Sequence, residues 1–386
     1  MKTLTTTKEL AAYCVSAARH PYVTIDTEFL RERTYYSKLC LIQLAVPGDN
    51  DEEDAVLVDV LSGKLKLDPL LELFRDESVV KVFHAARQDL EIFFFEGGVF
   101  PKPFFDTQVA AMVCGFGEQV GYETLVRKIC KLPLDKSSRF TDWSRRPLSE
   151  RQQAYALGDV THLRGIYEFL AQRIKATNRV KWVEEELEML TQPTTYIVEP
   201  HEAWRRVKTR TNSGRFLAII RELARFREDY AQGRNVPRSR VYKDDAMLEL
   251  ASTKPKTLSD LGGSRLLLRE ARRGDIAEGI LKAIEAGVNC PQDELPVVSA
   301  PRERKNGNEG LADLLRVLLK AKAEQAGVAQ KLIATVADLD EIAAGNTDGP
   351  ALKGWRRDVF GEDALKLCNG KMALSADGSS VKLVEL

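Results

Sequence analysis

The stretch Tyr22-Val23-Thr24-Ile25-Asp26-Thr27-Glu28-Phe29 constrains this chain more than any other. Apolar and β-branched side chains run directly into two carboxylates, and a run of this composition predicts a buried strand. Alternate residues of a strand share a face, so Asp26 and Glu28 project together. Two like charges side by side at a strand end repel each other, and burying them unpaired costs several kcal/mol. A divalent cation removes that cost, and hard oxygen ligands suit Mg²⁺ or Mn²⁺. A solvated pair at the rim of a sheet has the same signature, so the rest of the chain must decide.

Further strands are expected at Leu39–Val46, Ala55–Asp59 and Val79–His84, with the acidic turn 47–51 suggesting a meander at the sheet edge. Beyond Val79–His84 the pattern turns helical, with Leu90, Phe93 and Phe94 on one side. Helices are expected at Thr107–Gly115, Tyr122–Cys130 and Ser149–Thr177, and Ser149 with Gln152 forms a capping box for the last. Strands first and helices after describe an α/β domain with a mixed sheet over residues 1–195, ending in a boundary at Thr191–Thr195. From about residue 205 the chain reads as entirely helical. Val236, Val241, Met247, Glu249, Leu250 and Ala251 match Val328, Ile333, Leu339, Glu341, Ile342 and Ala343 at a constant offset. Two small helical domains follow, 205–290 and 305–386, with the polar run Pro296–Glu309 as their linker.

A chain of 386 residues with 44% hydrophobic and 30% charged residues fits two or three folded domains. No apolar run approaches the roughly 20 residues of a membrane span, and no signal peptide opens the sequence. Its six cysteines are scattered without a Cys-x-x-Cys pair, which argues against a zinc site or disulfide framework and suits a reducing cytoplasm. A formal net charge of zero hides an asymmetry: about 25 basic and 31 acidic residues over 1–204, against about 19 and 11 over 205–290. A basic second domain suits a polyanion, and a solvated helical surface has the same composition. Arg221, Arg225, Arg227, Arg234, Arg238, Arg240 and Lys243, with Phe226, Tyr230 and Tyr242 among them, are the candidates for a polyanion-binding face.

Three further stretches of the first domain carry carboxylates. His84-Ala85-Ala86-Arg87-Gln88-Asp89 lies where a strand hands over to a helix, Phe105-Asp106-Thr107-Gln108 follows, and Tyr155-Ala156-Leu157-Gly158-Asp159 lies inside the long helix. Tyr155 and Asp159 are four residues apart and so share one helical face. Asp26, Glu28, Asp89 and Asp159, in this order on this succession of elements, form a far more specific pattern than any of them alone.

This constellation resembles the DEDD exonuclease superfamily, in the subgroup whose third motif carries tyrosine, and within it the ribonuclease D family. Ile25-Asp26-Thr27-Glu28-Phe29 is similar to the first exonuclease motif, Lys81–His84 through Asp89 to the second, and Tyr155 through Asp159 to the third. Leu41-Ile42-Gln43-Leu44-Ala45, Phe105–Gln108 and Thr141–Leu148 resemble segments that accompany that family, and the helical part resembles its paired HRDC domains. The resemblance implies an RNase H-like sheet, two small all-α HRDC-like domains, and phosphodiester hydrolysis with two divalent ions, Mg²⁺ or Mn²⁺. Asp26 would bridge both ions, Glu28 and Asp159 would complete the site of the attacking water, and Asp89 would support the second ion. Two cations about 4 Å apart provide an activated water and neutralise charge on phosphorus. With an ordinary pKa of about 10, Tyr155 is a poor general base at neutral pH, so its expected role is to orient that water.

Substrate contacts are expected from Thr27 and Phe29, the latter stacking on the terminal base, and from Gln43 and Gln108 on the terminal sugar or base. Phe29 as a core residue and the two glutamines as partners of backbone groups are the competing readings. His84 fits either the scissile region or a satisfied position at the strand end. Arg145 suits a phosphate, or a pairing with Asp142. Asp106 is read as a helix cap. Together these residues lead to the expectation of a metal-dependent 3′→5′ exoribonuclease acting on RNA with single-stranded 3′ ends, tRNA precursors first, as a cytoplasmic monomer. A DNA 3′→5′ exonuclease is the alternative within enzymes. A non-catalytic RNA-binding scaffold is the alternative outside them, and the presence of all four carboxylates and Tyr155 argues against it.

Overall fold

The structure, a computed structural model, describes residues 2–134, 141–297 and 308–386. A six-stranded mixed sheet organises the first domain: β1 (Lys2–Leu4), β2 (Tyr22–Leu30), β3 (Lys38–Ala45), β4 (Ala55–Val58), β5 (Val80–Phe83) and β6 (Phe104–Asp106), in the order β1-β4-β3-β2-β5-β6. β2, β3 and β4 form an antiparallel meander, and β1, β5 and β6 add to it in parallel. The two three-residue strands β1 and β6 are too short to show a period in the sequence, and only pairing defines them.

One face of the sheet carries Val23, Ile25, Ile42, Leu44, Val56 and Val58 and packs on α1 (Thr7–Ala17), α2 (Asp68–Arg75) and α3 (Arg87–Gly97). The other faces α4 (Thr107–Val113) and the 27-residue α5 (Glu150–Ala176), which is followed by α6 (Val180–Leu190). The Ser149–Gln152 capping box opens α5 as expected. Opposite Glu28 and Phe29 the β2–β3 register slips, Glu28 pairing with Leu41 and Phe29 with Leu39. Cys40 is the extra residue of this bulge, and it joins Leu41 on the α5 side. Its freed carbonyl accepts a hydrogen bond from Arg146 Nη2 at 2.8 Å.

The second core gathers α7 (Gly214–Arg234), α8 (Asp244–Thr253) and α9 (Gly274–Asn289) and takes in Ala203 and Trp204, whereas Tyr196 packs into the first. The third gathers α10 (Glu309–Ala326), α11 (Val336–Ala343) and α12 (Glu362–Cys368). The sequence repeat is also structural. α7 and α10 both end in left-handed residues, Asn235 and Gly327, followed by the short helices Arg238–Val241 and Gln330–Ile333, then by α8 and α11. The third unit is not purely helical: β7 (Met372–Asp377) and β8 (Ser380–Glu385) form an antiparallel hairpin. Its mostly exposed, polar strands lack the alternation that marks a buried strand. Residues 298–307 of the expected linker lie outside the described residues.

Both helical units touch the first domain. The loop between β2 and β3 docks on the end of α7, where Asn235 Oδ1 accepts the backbone N–H groups of Tyr35 and Tyr36, each at 3.0 Å. Trp355 of the third unit stacks on Trp182 of α6, ring centroids 4.5 Å apart, and Arg356 pairs with Glu186.

Candidate active site

Three elements meet at the C-terminal half of β2. Asp26 and Glu28 point to the α5 side, and α5 crosses that face so that Asp159 completes the group. One carboxylate oxygen from each of Asp26, Glu28 and Asp159 lies within 4.8 Å of the others. The crossing is held on both sides of Asp159. Thr24 Oγ1 lies 2.9 Å from the Val160 carbonyl, and the Tyr122 hydroxyl donates to the Gly158 carbonyl at 2.8 Å. Tyr155 sits one turn earlier on α5, its ring centroid 6.0 Å from that of Trp143.

Asp89 arrives from the opposite side. It is buried in the first turn of α3 and accepts a hydrogen bond from Thr27 Oγ1. Thr27, between Asp26 and Glu28, faces the other way by strand period, so one strand contacts both carboxylate sources. Asp89 stands apart from the three clustered oxygens, yet it belongs to the same electrostatic unit.

Burial, followed by repulsion from Asp159, raises the Asp26 carboxyl well above its ordinary value, against a lowering backbone bond from Thr27. Glu28 is pushed up to about 10 by burial and then by Asp26, Asp159 and Asp89. Asp89 is likewise raised, by burial first and Asp26 second. Burial with the charges of Asp159 and Asp26 also raises Tyr122, which places its ring against the site. Among the described residues no side-chain cation offsets Asp26, Glu28 or Asp89, and carboxylates packed in this way stay ionised only with positive charge from elsewhere.

Asp106 does more than cap α4. Its carboxylate accepts N–H groups from Gln108 (2.7 Å) and Val109 (3.4 Å) at the α4 start, and from Ala85 (3.0 Å) and Ala86 (2.8 Å) before α3. Ala85 has φ +58°, a left-handed conformation unfavourable for a residue with a Cβ, and the hydrogen bonds that Ala85 and Ala86 donate to Asp106 hold it there. This turn sets the entry of α3 and hence the place of Asp89. Next to it His84 Nδ1 lies 3.0 Å from Thr107 Oγ1, which also reaches the Phe83 carbonyl at 3.0 Å. Burial lowers the His84 pKa, with Asp106 opposing, so the ring is neutral at physiological pH.

Several expected substrate contacts are placed elsewhere. Gln43 pairs with Asp26 in the β2–β3 register, but it is wholly buried and cannot meet a nucleotide. The Gln108 amide donates to the Val120 carbonyl at 3.2 Å. Phe29 is partly buried against the first core. Arg145 is 84% exposed and pairs with Asp142 at 3.3 Å. The neighbouring Arg146 is consumed in structure: Nε and Nη2 bind Asp59 at 2.7 and 2.8 Å, and Nη1 donates to the Trp143 carbonyl. The basic face of the second domain is largely neutralised too. Arg221, Arg225, Arg227, Arg234 and Arg238 pair with Glu222, Asp229, Asp244, Asp275 and Glu228. Tyr122, the double role of Asp106 and the Arg146 clamp were not visible in sequence, because each depends on a partner distant along the chain.

Divalent ions fit this donor set. The ligands are hard carboxylate oxygens, they converge, and the wholly buried Gln43 beside Asp26 has neither amide atom hydrogen-bonded among the described residues.

A 3′–5′ exonuclease family profile matches residues 1–175, and an HRDC domain profile matches residues 216–284. The sheet, α5 and the carboxylate group therefore define a 3′–5′ exonuclease domain followed by a helical HRDC-containing region. The chain is 65% identical to ribonuclease D of Jannaschia sp., over 100% of this chain and 99% of that one. Identity to ribonuclease D of Granulibacter bethesdensis is 47%, over 99% and 96%. The crystal structure of Escherichia coli RNase D, an exoribonuclease involved in structured RNA processing, superposes with a TM-score of 0.83 at 29% identity, covering 96% of this chain and 98% of that one. The chain belongs to the ribonuclease D family, and it is a 3′–5′ exoribonuclease.

Proposed function

We propose that this enzyme hydrolyses RNA from single-stranded 3′ ends with two divalent ions, Mg²⁺ or Mn²⁺, trimming precursors of structured RNAs, tRNA first among them. The observation that carries the reading is the convergence of one carboxylate oxygen each from Asp26, Glu28 and Asp159, with Asp26 and Glu28 raised by burial and by repulsion among the carboxylates. Asp26, Glu28 and Asp159 would hold one ion, and Asp26 with Asp89 the other. Ions bound there supply charge neutralisation for the phosphodiester and a more acidic attacking water.

The chain's own residues do the positioning. Thr27 orients Asp89, and Tyr155, one turn from Asp159, hydrogen-bonds the attacking water. Neutral His84, tied through Nδ1 to Thr107, offers Nε2 to the terminal nucleotide. The leaving 3′-oxygen takes its proton from solvent. Work is divided between the nuclease unit 1–195 and two HRDC-like units, 205–290 and 305–386, in a cytoplasmic monomer. The six free cysteines suit that compartment, and among the described residues no helix is long and apolar enough to cross a membrane.

A short 5′-labelled RNA with Mg²⁺, Mn²⁺ or EDTA tests the reading, beside Asp26→Ala. The expected result is a ladder shortening from the 3′ end, slowed about a thousandfold or more in EDTA and in the variant. Cleavage that persists undiminished in either would refute the metal mechanism. An equal ladder on DNA would refute RNA selectivity and leave the mechanism standing.

A further inference from the structure

Gln43 lies in the middle of β3, flanked in the register by Asp26 on β2 and Leu57 on β4. Its surroundings on this face are apolar: Leu41, Ala45 and Leu57 of the sheet, roofed by Ala156 and Val160 of α5. It is 0% exposed, and neither its Nε2 nor its Oε1 has a hydrogen-bond partner among the described residues. Each amide group buried in this way carries a desolvation penalty of about 1–3 kcal/mol. A leucine or methionine would fill the same volume without it. A position that keeps the costlier residue calls for a state in which the amide is satisfied. The polar neighbour that the ladder supplies is the Asp26 carboxylate.

We propose that Gln43 is a positioning residue for Asp26: its amide N–H holds the Asp26 carboxylate in the orientation needed to bind a divalent ion, and the bond forms when the ion is bound. The proposal rests on the metal reading above and goes beyond it, because Gln43 touches neither RNA nor the reacting atoms. Residues that hydrogen-bond metal-ligating carboxylates fix ligand orientation, and their loss commonly costs 10–100-fold in metal affinity. The same reasoning makes Gln43 a site where stability and function oppose each other. Removing the amide should relieve the metal-free protein while impairing the metal-loaded one.

The test uses the full chain and Mn²⁺ alone, without RNA. Calorimetric titration of wild type, Asp26→Asn and Gln43→Met is paired with thermal unfolding of each in EDTA. The expected result is Asp26-dependent Mn²⁺ binding in wild type, weakened about 10–100-fold by Gln43→Met. The metal-free variant should unfold at a higher temperature than wild type. An independent reading comes from wild type labelled with ¹⁵N-glutamine, in which the Gln43 side-chain amide signals should shift when Mg²⁺ is added. Unchanged Mn²⁺ affinity in Gln43→Met, a lowered metal-free unfolding temperature, or unmoved amide signals would each overturn the assignment and make Gln43 an ordinary core residue. Absence of any Asp26-dependent binding in wild type would overturn the metal reading as well, so the two failures are distinguishable.

Discussion

Two regions of this molecule bury carboxylates, and they solve the problem in opposite ways. At the end of β2, Asp26 and Glu28 converge with Asp159, neither of the two has a cationic side chain beside it among the described residues, and the pKa values of both rise. Where the β2–β3 loop docks on α7, Glu228 is only 1% exposed, yet it receives two hydrogen bonds from Arg238, at 2.6 and 2.5 Å. The Tyr35 hydroxyl and the Gln232 amide complete the shell. Burial raises the Glu228 pKa, but the bonds from Arg238, Tyr35 and Gln232 outweigh it and leave the group below its ordinary value. A buried acid whose shell is complete within the chain serves the fold. Partly buried acids such as Asp26 and Glu28, raised by the carboxylates beside them, serve a ligand that arrives from outside. The second arrangement costs stability, and only function explains its retention.

The contrast is broken most directly at Arg238. Arg238→Ala leaves Glu228 buried without its cation and should lower stability by about 3 kcal/mol in urea unfolding. A loss close to zero would put the two regions in the same class. Glu28→Gln should do the reverse in EDTA, stabilising the metal-free protein by about 1–2 kcal/mol through relief of like-charge repulsion. The gain should grow with pH. Glu28 binds its proton more tightly folded than unfolded, so its contribution is complete below the ordinary value of 4.5 and disappears as pH climbs towards about 10. Glu228 has the opposite sign: its contribution is present above 4.5 and is lost as pH falls through its lowered value. Unfolding curves across pH, with and without each variant, measure both slopes. The smallest effect belongs to Arg145→Ala, whose exposed pair with Asp142 should matter by less than about 0.5 kcal/mol. RNA turnover should stay within about twofold, and a tenfold loss would restore Arg145 as a phosphate ligand.

The docking of the loop on α7 also links the two regions. Arg31 at the loop start pairs with Glu91, two residues past Asp89 on α3, at 3.1 Å. Tyr36 packs on Phe95 of the same helix, ring centroids 4.5 Å apart. The segment leaving the site's main strand is therefore held on one side by the helix that carries Asp89 and on the other by the second domain.

Strong local periodicity made part of this legible. β2 was evident from its β-branched run, α5 from its capping box and long apolar stripe, and the repeat of the helical units from six matched positions. β1 and β6 were not, because three residues carry no period. The hairpin β7–β8 was hidden by its exposure, since solvated strands need no apolar alternation. The basic face over-read composition: cations were counted, but their carboxylate partners on α7, α8 and α9 become visible only when the helices pack. Sequence alone offers Gln43 and Gln108 either as contacts to the terminal sugar or base or as partners of backbone groups. One is instead sealed beside Asp26, and the other is spent on a backbone carbonyl.

The sequence by itself determined which residues share a face: Asp26 with Glu28 by the two-residue period of a strand, Tyr155 with Asp159 by the turn of a helix. It also determined the family, through the order of those residues along the chain. Only the tertiary structure decided how near Asp159 comes to β2, that Asp106 ties two helix starts together, and that Glu228 is lowered by Arg238 while Glu28 is raised by the carboxylates beside it. Periodicity is a property of neighbours in the chain. The charge state of a carboxylate depends on burial and on partners brought together by packing, here across separations of more than a hundred residues.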